Sequence, residues 1–314
     1  MKKISVLLFL ILLLCSTTPA QADFFETQKA KIEQNRIYKS NINDIKALIN
    51  LQTKLANEHN TQALGELYSK NFVNSDGFNK ELYIKLIDDT FKTYPDITYK
   101  TQIKNVNVSN NYAEVLVEET AFATSNETLD EFEFSNNINN FGELYSVAKS
   151  IYHLEKQGAK WFINAEQILE ETSSLKFGKT KKINIELNAP KVSGADKDYT
   201  ATLKVNVPKD FVAIASISKE NITYPQNKSN DIFRKIPENN IVERVFHSNK
   251  ENVNEYAVAS VGFTHAEPYT VDKIRIYMDG FAFIMTRINI IPENKLVKVE
   301  KENQQEGVQN AQGK

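Results

Sequence analysis

Apolar residues recur every three or four positions between residues 41 and 93, which is the spacing of amphipathic helices. The first stripe runs from Ile42 to Leu55. It follows Asn41, which we expect to cap the helix together with Asp44 three positions later. This pattern predicts a helix from about residue 41 to about residue 58.

Two further helices are predicted after the first one. A short helix carries Leu64 towards Phe72, and a longer helix begins after Asn79, whose side chain suits a helix cap. The longer helix should end at Tyr94, because the residue before Pro95 is driven out of the helical region.

Shorter apolar alternations predict four strands, over residues 97–108, 113–117, 141–154 and 161–169. The apolar positions change parity near Asn105, which indicates a β-bulge and a bent sheet. The third strand is apolar on both parities, so we expect it to be central and covered on both faces.

These elements carry a family resemblance. Two helices lead into a Tyr-x-x-x-Phe-Val-x-Ser-Asp-Gly link from Tyr68 to Gly77, a third helix follows, and the last strands contain Gly158-x-x-Trp161-x-Ile163. Residues 41–171 thus resemble the nuclear transport factor 2-like (SnoaL-like) superfamily. The resemblance implies an α+β fold in which three helices pack on a curved antiparallel sheet to form a cone around a pocket. The superfamily contains enzymes, binding modules and assembly domains, so it implies a shape rather than one activity.

The pattern changes after a predicted hinge at residues 171–180, which separates a first domain (41–175) from a second (181–299). Regularly spaced short strands without intervening helices predict an all-β, immunoglobulin-like sandwich. Asp279-Gly280 predicts a tight hairpin that places Met278 opposite Phe281. The predicted strands of this domain cover residues 183–187, 201–207, 211–217, 241–247, 256–263 and 273–286.

The start of the chain has the pattern of a secretory signal peptide. Lys2 and Lys3 precede an apolar run, Val6 to Leu14, and Ala20-Gln21-Ala22 offers a cleavage site. We therefore expect a signal peptide over 1–22, a lead-in helix or linker over 23–40, and a bacterial protein exported to the periplasm or beyond. The apolar run is too short to span a bilayer, and no later stretch predicts a membrane span.

Composition excludes several classes of site and partner. Cys15 is the only cysteine and lies inside the predicted signal peptide, so the exported protein would have neither disulfides nor thiolate ligands. The net charge is −2 without a basic block, which argues against nucleic acid as a partner. The final residues, 300–314, are polar and are predicted to be disordered.

A polar segment at residues 124–140 is longer than most loops of folded domains. Its acidic residues suit either a lid beside the pocket or an ordinary solvated loop. Both interpretations stay open from the sequence.

In enzymes of this superfamily the reacting groups line the cone, where burial raises the pKa of a carboxylate and can poise it as an acid or base. Glu119, Asp76 and His153 are weak catalytic candidates by position. Each has a structural alternative: Asp76 as a turn residue before Gly77, Glu119 as a solvated strand end, and His153 as a surface residue. Trp161 has a core role as its alternative. The expected pocket residues are Tyr68, Asp76, Tyr99, Glu119, Tyr145, Trp161 and Gln167.

Neither a metal site nor a cofactor is predicted. The four histidines, at positions 59, 153, 247 and 265, form no metal-binding spacing, and phosphate-loop and dinucleotide motifs are absent from the sequence.

Three functions stay open. The first is an exported, non-catalytic protein that binds a small apolar ligand or peptide in its cone while the sandwich docks onto a partner or envelope component. The second is a structural module that dimerises through the open face of its sheet. The third is a small-molecule isomerase or hydratase with Glu119 or Asp76 as base.

Overall fold

A computed structural model of the chain describes residues 19–125, 141–209, 211–226, 232–271 and 273–292. Most of the predicted signal peptide and of the polar segment, and the whole predicted tail, lie outside these residues. The helices are α1 (Pro19–Asn57), α2 (Thr61–Gly65) and α3 (Lys80–Thr93). None of the described helices is both long enough and apolar enough to cross a membrane.

The described strands are β1 (Tyr68–Asn74), β2 (Thr98–Ser109), β3 (Tyr112–Ser125), β4 (Gly142–Gln157), β5 (Lys160–Gly178), β6 (Ile185–Asn188), β7 (Val192–Gly194), β8 (Asp198–Val205), β9 (Val212–Asn221), β10 (Arg234–Lys235), β11 (Ile241–His247), β12 (Glu255–Thr270) and β13 (Lys273–Ile291). A short 3₁₀ helix, Lys179–Lys182, follows β5.

Helix α1 runs through the position where we expected a helix to begin. The predicted cap at Asn41 is wrong, because neither glycine nor proline interrupts the chain between Pro19 and Asn57. Asn41 is buried inside the helix, and its Oδ1 accepts a hydrogen bond from Lys156 Nζ at 2.8 Å. Residues 26–40 are exposed, and α1 joins the core only from Asn41 onward.

The predicted second helix is shorter than expected. It ends at Gly65, and β1 then pairs in parallel with β5, with Tyr68 opposite Ile163. A short apolar run does not distinguish a helix from a buried strand by spacing alone, which explains the error. The third helix is as predicted: Asn79 Oδ1 accepts from Leu82 N at 3.0 Å, and Tyr94 follows its last residue.

The large sheet has ten strands in all, eight of them in the order β10-β9-β12-β13-β5-β4-β3-β2. The first part of the chain supplies β2 to β5, which form an antiparallel sheet with β4 in a central position, as predicted. The register of β2 shifts between Ile103 and Asn105, which confirms the predicted bulge. Helices α1 and α3 cover one face of this sheet, and the core between them contains Ile45, Ile49 and Val117.

The predicted hinge at residues 171–180 is a strand rather than a linker. Strand β5 continues to Gly178, and its last residues pair with β13, so that Phe177 lies opposite Phe281. One sheet therefore runs through both parts of the chain. A second sheet, in the order β11-β8-β6, packs on its far end around a core that includes Leu203, Ile217 and Val261.

The predicted hairpin at Asp279-Gly280 is also wrong. Both residues lie inside β13, where Gly280 pairs with Phe263 and Met278 pairs with Thr264, so that Asp279 is an extra residue in a β-bulge. The buried Asp279 carboxylate is held by Lys179 Nζ at 2.8 Å and by His265. The Asp-Gly pair thus marks a bulge here rather than a turn.

Candidate functional site

A cavity of about 110 Å³ lies between helices α1 and α3 and strands β2, β3 and β4. Helix α1 contributes residues at helical spacing, and the strands contribute inward-facing residues at every second position. The lining residues are Gln52, Thr53, Ala56, Leu64, Tyr68, Tyr83, Ile87, Phe91, Tyr99, Thr101, Glu119 and Tyr152.

Glu119 is the one carboxylate in this lining, and it is held by two hydroxyl groups. Tyr152 donates a hydrogen bond to Glu119 Oε2 at 3.0 Å, and Thr101 donates to Oε1 at 3.2 Å. Thr53 Oγ1 on α1 lies 2.7 Å from Thr101 Oγ1 and extends the chain of hydroxyls. Burial raises the pKa of Glu119 above its usual range, and the two hydrogen bonds lower it by less.

Gln52 lies on α1 beside two cavity tyrosines. Its Nε2 donates to the hydroxyl of Tyr68 at 2.9 Å and to that of Tyr152 at 3.0 Å. The side chain is 6% exposed, and its Oε1 has no hydrogen-bond partner among the described residues. A buried acceptor without a donor is costly, so Oε1 marks a position where a ligand or water would donate a hydrogen bond.

A second carboxylate, Glu166 on β5, lies beside the same tyrosines without lining the cavity. Burial raises the pKa of Glu166 to about 7, and the negative charge of Glu119 adds to the increase. Its Oε2 is buried and also lacks a partner in the described part of the chain. Two carboxylates therefore share one largely dry region in which only limited negative charge is tolerated.

Aromatic rings form most of the remaining wall. The ring centroids of Tyr68 and Tyr83 are 5.5 Å apart, and those of Phe91 and Tyr99 are 6.3 Å apart. Burial raises the pKa of Tyr99 to about 12 and raises those of Tyr68, Tyr83 and Tyr152 well above their usual value. These hydroxyls are accordingly neutral at physiological pH.

Three of the predicted pocket residues meet in this cavity, namely Tyr68, Tyr99 and Glu119. Tyr68 arrives on β1 rather than on a helix, while Tyr99 and Glu119 face inward from neighbouring strands.

Two other candidates lie elsewhere. Asp76 lies where the two parts of the chain meet, and its Oδ2 accepts from Arg287 Nη1 at 3.1 Å. Its turn interpretation fits as well, because Gly77 has a φ of 80°. Trp161 is buried in the first core, and its edge lines a surface groove beside Leu48 on α1.

The outer face of the sheet holds three further candidates. Tyr145 is 44% exposed, and its ring centroid lies 4.8 Å from that of Phe122. His153 Nδ1 is 3.7 Å from Glu114 Oε1 on the same face. Gln167 is exposed as well, opposite Ile151 of β4.

The displacement of Gln167 has a local cause. Strand β5 carries an extra residue, Asn164, between the pairs formed by Ile163 and Ala165, so the residues after it reverse their faces. Glu166 therefore points inward where Gln167 was expected.

Sequence reasoning also missed cavity residues on the other elements. Gln52 continues the i, i+4, i+7 spacing of Ile45 and Ile49, and a polar residue on an apolar stripe was the signal that could have identified it. Tyr83 and Tyr152 carried no signal that separated them from ordinary core residues.

In the described part of the chain, no group of three or more His, Cys, Asp and Glu side chains is arranged so that it could hold a metal ion. The cavity lining contains one such residue, Glu119.

Neither a protein-family model nor a curated protein matches this chain. Solved structures do align with part of it. Bd1075 of Bdellovibrio bacteriovorus aligns at 12% identity and a TM-score of 0.32 over 40% of this chain, and the match spans only 39% of that protein. A hexachlorocyclohexane dehydrochlorinase aligns at 10% identity and a TM-score of 0.35, covering 43% of this chain and 87% of that one.

A protein of the nuclear transport factor 2-like family from Streptomyces avermitilis aligns at 10% identity and a TM-score of 0.32, covering 41% of this chain and 95% of its own. Structures of this type therefore align with about 40% of the chain. With identities of 12% or less and TM-scores below 0.5, the alignments carry no information on activity, ligand or partners.

Proposed function

We propose that this protein binds a small molecule in the cavity between α1, α3 and the sheet. The observation that carries the proposal is the buried, unpartnered Gln52 Oε1 beside a half-open cavity of about 110 Å³. A cavity of roughly 150 Å³ accommodates benzene, so the part of the ligand that lies inside this cavity has about six non-hydrogen atoms or fewer. This volume favours a compact, partly polar molecule over a peptide.

A cavity-filling substitution tests this proposal. Ala56 lines the cavity on α1, and Ala47 is exposed on the same helix. In NMR titrations with benzene and tert-butanol, the resonances of cavity residues in the wild type and in Ala47→Leu should shift with saturation. Ala56→Leu should abolish these shifts because its side chain occupies the cavity. Equal shifts in both variants would show that the probes bind elsewhere, and no shift in any protein would show that the cavity binds neither probe.

An acid–base enzyme of the isomerase or hydratase type is a second candidate for the same cavity. Glu119 lies within hydrogen-bond distance of Tyr152, and the pKa of Glu166 is about 7, which suits proton transfer near neutral pH. Asp76 is not a candidate for the base in this cavity, because its carboxylate accepts a hydrogen bond from Arg287 elsewhere in the structure.

Exchange of a carbon-bound proton tests the catalytic candidate. Acetone in D₂O should lose its α-protons faster with the wild type than with Glu119→Gln if Glu119 abstracts them. If both proteins give the exchange rate of buffer alone, the catalytic candidate is contradicted and the proposed binding function is unaffected.

A dimer through the open face of the sheet is a third candidate. The observation that favours it is the pair Phe122 and Tyr145, both about half exposed and in contact with each other. Light scattering tests it: Phe122→Ser should convert a dimer to a monomer, and a monomeric wild type would remove this candidate.

We further propose that the protein is exported after loss of residues 1–22, and that its second part is an immunoglobulin-like sandwich that docks onto an envelope component. The apolar run and the small residues near Ala22 support export. The two packed β-layers support the sandwich. N-terminal sequencing of the protein recovered outside the cytoplasm should begin at Asp23, and an intact Met1 there would contradict cleavage.

A further inference from the structure

The cavity lining combines aromatic rings with a carboxylate and has no cationic side chain. Five of the residues that line it are tyrosine or phenylalanine, Glu119 supplies the acid, and Lys, Arg and His are absent from the lining. The faces of aromatic rings attract positive charge, and a carboxylate attracts it more strongly. The chemistry of the wall is therefore complementary to a cation.

We propose that the ligand of this cavity is a small protonated amine of about five non-hydrogen atoms. This inference rests on the proposed binding function and names the chemical class of the ligand. The ammonium group would lie between the Glu119 carboxylate and the tyrosine rings, and its alkyl part would contact Ile87, Phe91 and Ala56.

The unpartnered oxygen of Gln52 supports an N–H donor in particular. Both hydrogens of Gln52 Nε2 are used by Tyr68 and Tyr152, which orients Oε1 as a free acceptor. A protonated primary amine has three donors, enough for Gln52 Oε1 and Glu119 together. A neutral apolar ligand would leave the buried Gln52 Oε1 without a hydrogen bond and would leave the charge of Glu119 without a counter-ion.

The surrounding charges make the binding of a cation dependent on pH. Glu119 faces the cavity from β3, Glu166 lies beside it on β5, and Glu171 adds negative charge further along β5. The four neighbouring tyrosines are neutral. From α3, Lys80 Nζ donates to the backbone oxygen of Tyr68 at 2.8 Å and is thereby held at the backbone. His59 stacks on the cavity residue Phe91 with ring centroids 4.4 Å apart, so it lies behind the cavity wall. The ionised groups named as acting on Glu119 and Glu166 are thus carboxylates.

Protonation of these carboxylates removes the attraction. The pKa of Glu166 is about 7 and that of Glu119 is raised, so acidification converts both to neutral acids. A bound cation stabilises their charged forms, so binding should release protons and strengthen as pH rises through about 7.

Two probes of equal size separate this inference from the proposed function. tert-Butylammonium and tert-butanol have the same shape and differ in one group, a charged amine against a neutral hydroxyl. Calorimetric titration at about pH 8 should show that the amine binds about tenfold more tightly, and this ratio should fall severalfold at about pH 5.5. Equal or tighter binding of tert-butanol at the higher pH would overturn the cation while leaving the binding function intact. Failure of both probes to bind would overturn both the cationic ligand and the proposed binding function.

A matched pair of variants shows whether the effect is local. Glu119→Gln keeps the shape of the side chain and an acceptor for Tyr152, and should lose about tenfold in affinity for tert-butylammonium while retaining tert-butanol. Glu118→Gln removes the same charge from the neighbouring residue, which points to the outer face and pairs with Lys104 at 3.0 Å. Its affinities should match those of the wild type. An equal loss in both variants would indicate general electrostatics and would contradict a site at Glu119.

Discussion

Glu166 is a carboxylic acid held in the buried interior beside three tyrosines, with one carboxylate oxygen unpartnered among the described residues. Water would solvate this group better than the protein does in the absence of a ligand, so the folded protein favours its protonated form. A residue that costs stability without an obvious packing role is typical of a binding or catalytic site.

The stability of the protein should therefore decrease with pH in a defined range. The pKa of Glu166 is about 7 when folded against an ordinary value of 4.5, so between these values the folded protein binds more protons than the unfolded chain. Stability is then lost as pH rises from about 4.5 to about 7. Between about pH 4 and about pH 8, the wild type should lose about 3 kcal/mol of unfolding free energy through the ionisation of Glu166. Glu166→Gln lacks the ionising group, so its unfolding free energy relative to the wild type should rise by the same amount. Urea denaturation at both pH values measures it, with Glu114→Gln on the outer face as the control. An unchanged difference would contradict a buried acid at this position.

Gly280 is the second residue whose environment permits little change. A Cβ atom there would lie 2.7 Å from the backbone oxygen of Phe177 and 2.8 Å from the nitrogen of Thr180. Backbone atoms cannot rotate away, so Gly280→Ala should lose about 1–3 kcal/mol of stability. Gly65→Ala is the matched control, since its Cβ would meet side-chain atoms of Ile84 at 3.8 Å or more. Thermal denaturation compares the two, and equal melting temperatures would contradict the close approach at Gly280.

At the scale of elements, helix α1 consists of two halves in different surroundings. Residues 26–40 are exposed on all sides, whereas from Asn41 onward Ile45 and Ile49 are buried in the first core. Isolated helices of this length are marginal in water, so packing holds the second half while the first depends on its continuity with it.

Hydrogen exchange should separate these halves. Amides of residues 26–38 should exchange at least about a hundredfold faster than those of residues 45–55, because local fraying opens the exposed half without global unfolding. Mass spectrometry of peptides from both halves measures this directly. Equal protection of the amides in both halves would contradict this account, because it would mean that a contact covers the first half of the helix.

The elements also show what the sequence could predict and where it failed. Caps and proline placed α3 correctly, and the parity change at Asn105 located the bulge in β2. Two of the failures arise where a strand carries one extra residue. Asn164 turns Glu166 inward instead of Gln167, and Asp279 lies within a strand instead of a turn. These bulges depend on the partner strands, which the local sequence does not reveal.

The cavity residues likewise divide into those that the sequence predicted and those that it did not. Tyr99 and Glu119 followed from strand alternation, and both line the cavity. Gln52 and Tyr83 lie on helices whose orientation on the sheet is set by packing. The sequence therefore did not predict that their side chains line the same cavity. Asp76 was placed near the pocket, but its partner Arg287 lies 211 positions away in the chain.

At the scale of the whole molecule, a buried ionic network joins the two parts. The Arg287 side chain is fully buried and bonds Asp76 through both terminal nitrogens, while Asn254 Nδ2 donates to Asp76 Oδ1 at 2.8 Å. Glu171 Oε2 lies 3.8 Å from Arg287 and accepts from Tyr256 at 2.7 Å. Together with the continuous strand β5, this network joins the two parts of the chain directly, where the sequence had predicted a hinge.

Removal of one member of the pair should destabilise the whole protein. Arg287→Met leaves Asp76 buried without its counter-charge and should cost about 3–5 kcal/mol, and Asp76→Asn added to it should recover part of that loss. Lys104→Met, which breaks an exposed pair with Glu118, should cost at most about 1 kcal/mol. Denaturant unfolding measures all three. A double variant that is no more stable than Arg287→Met would contradict a coupled pair.

The central claim is that the space beside Gln52 and Glu119 is a ligand site. A high-resolution crystal structure of the protein soaked in tert-butylammonium tests it most directly. We expect the probe inside the cavity, with its nitrogen within about 3.2 Å of Gln52 Oε1 or a Glu119 oxygen. A cavity closed by side chains, or filled only by ordered water at saturating probe, would contradict the claim.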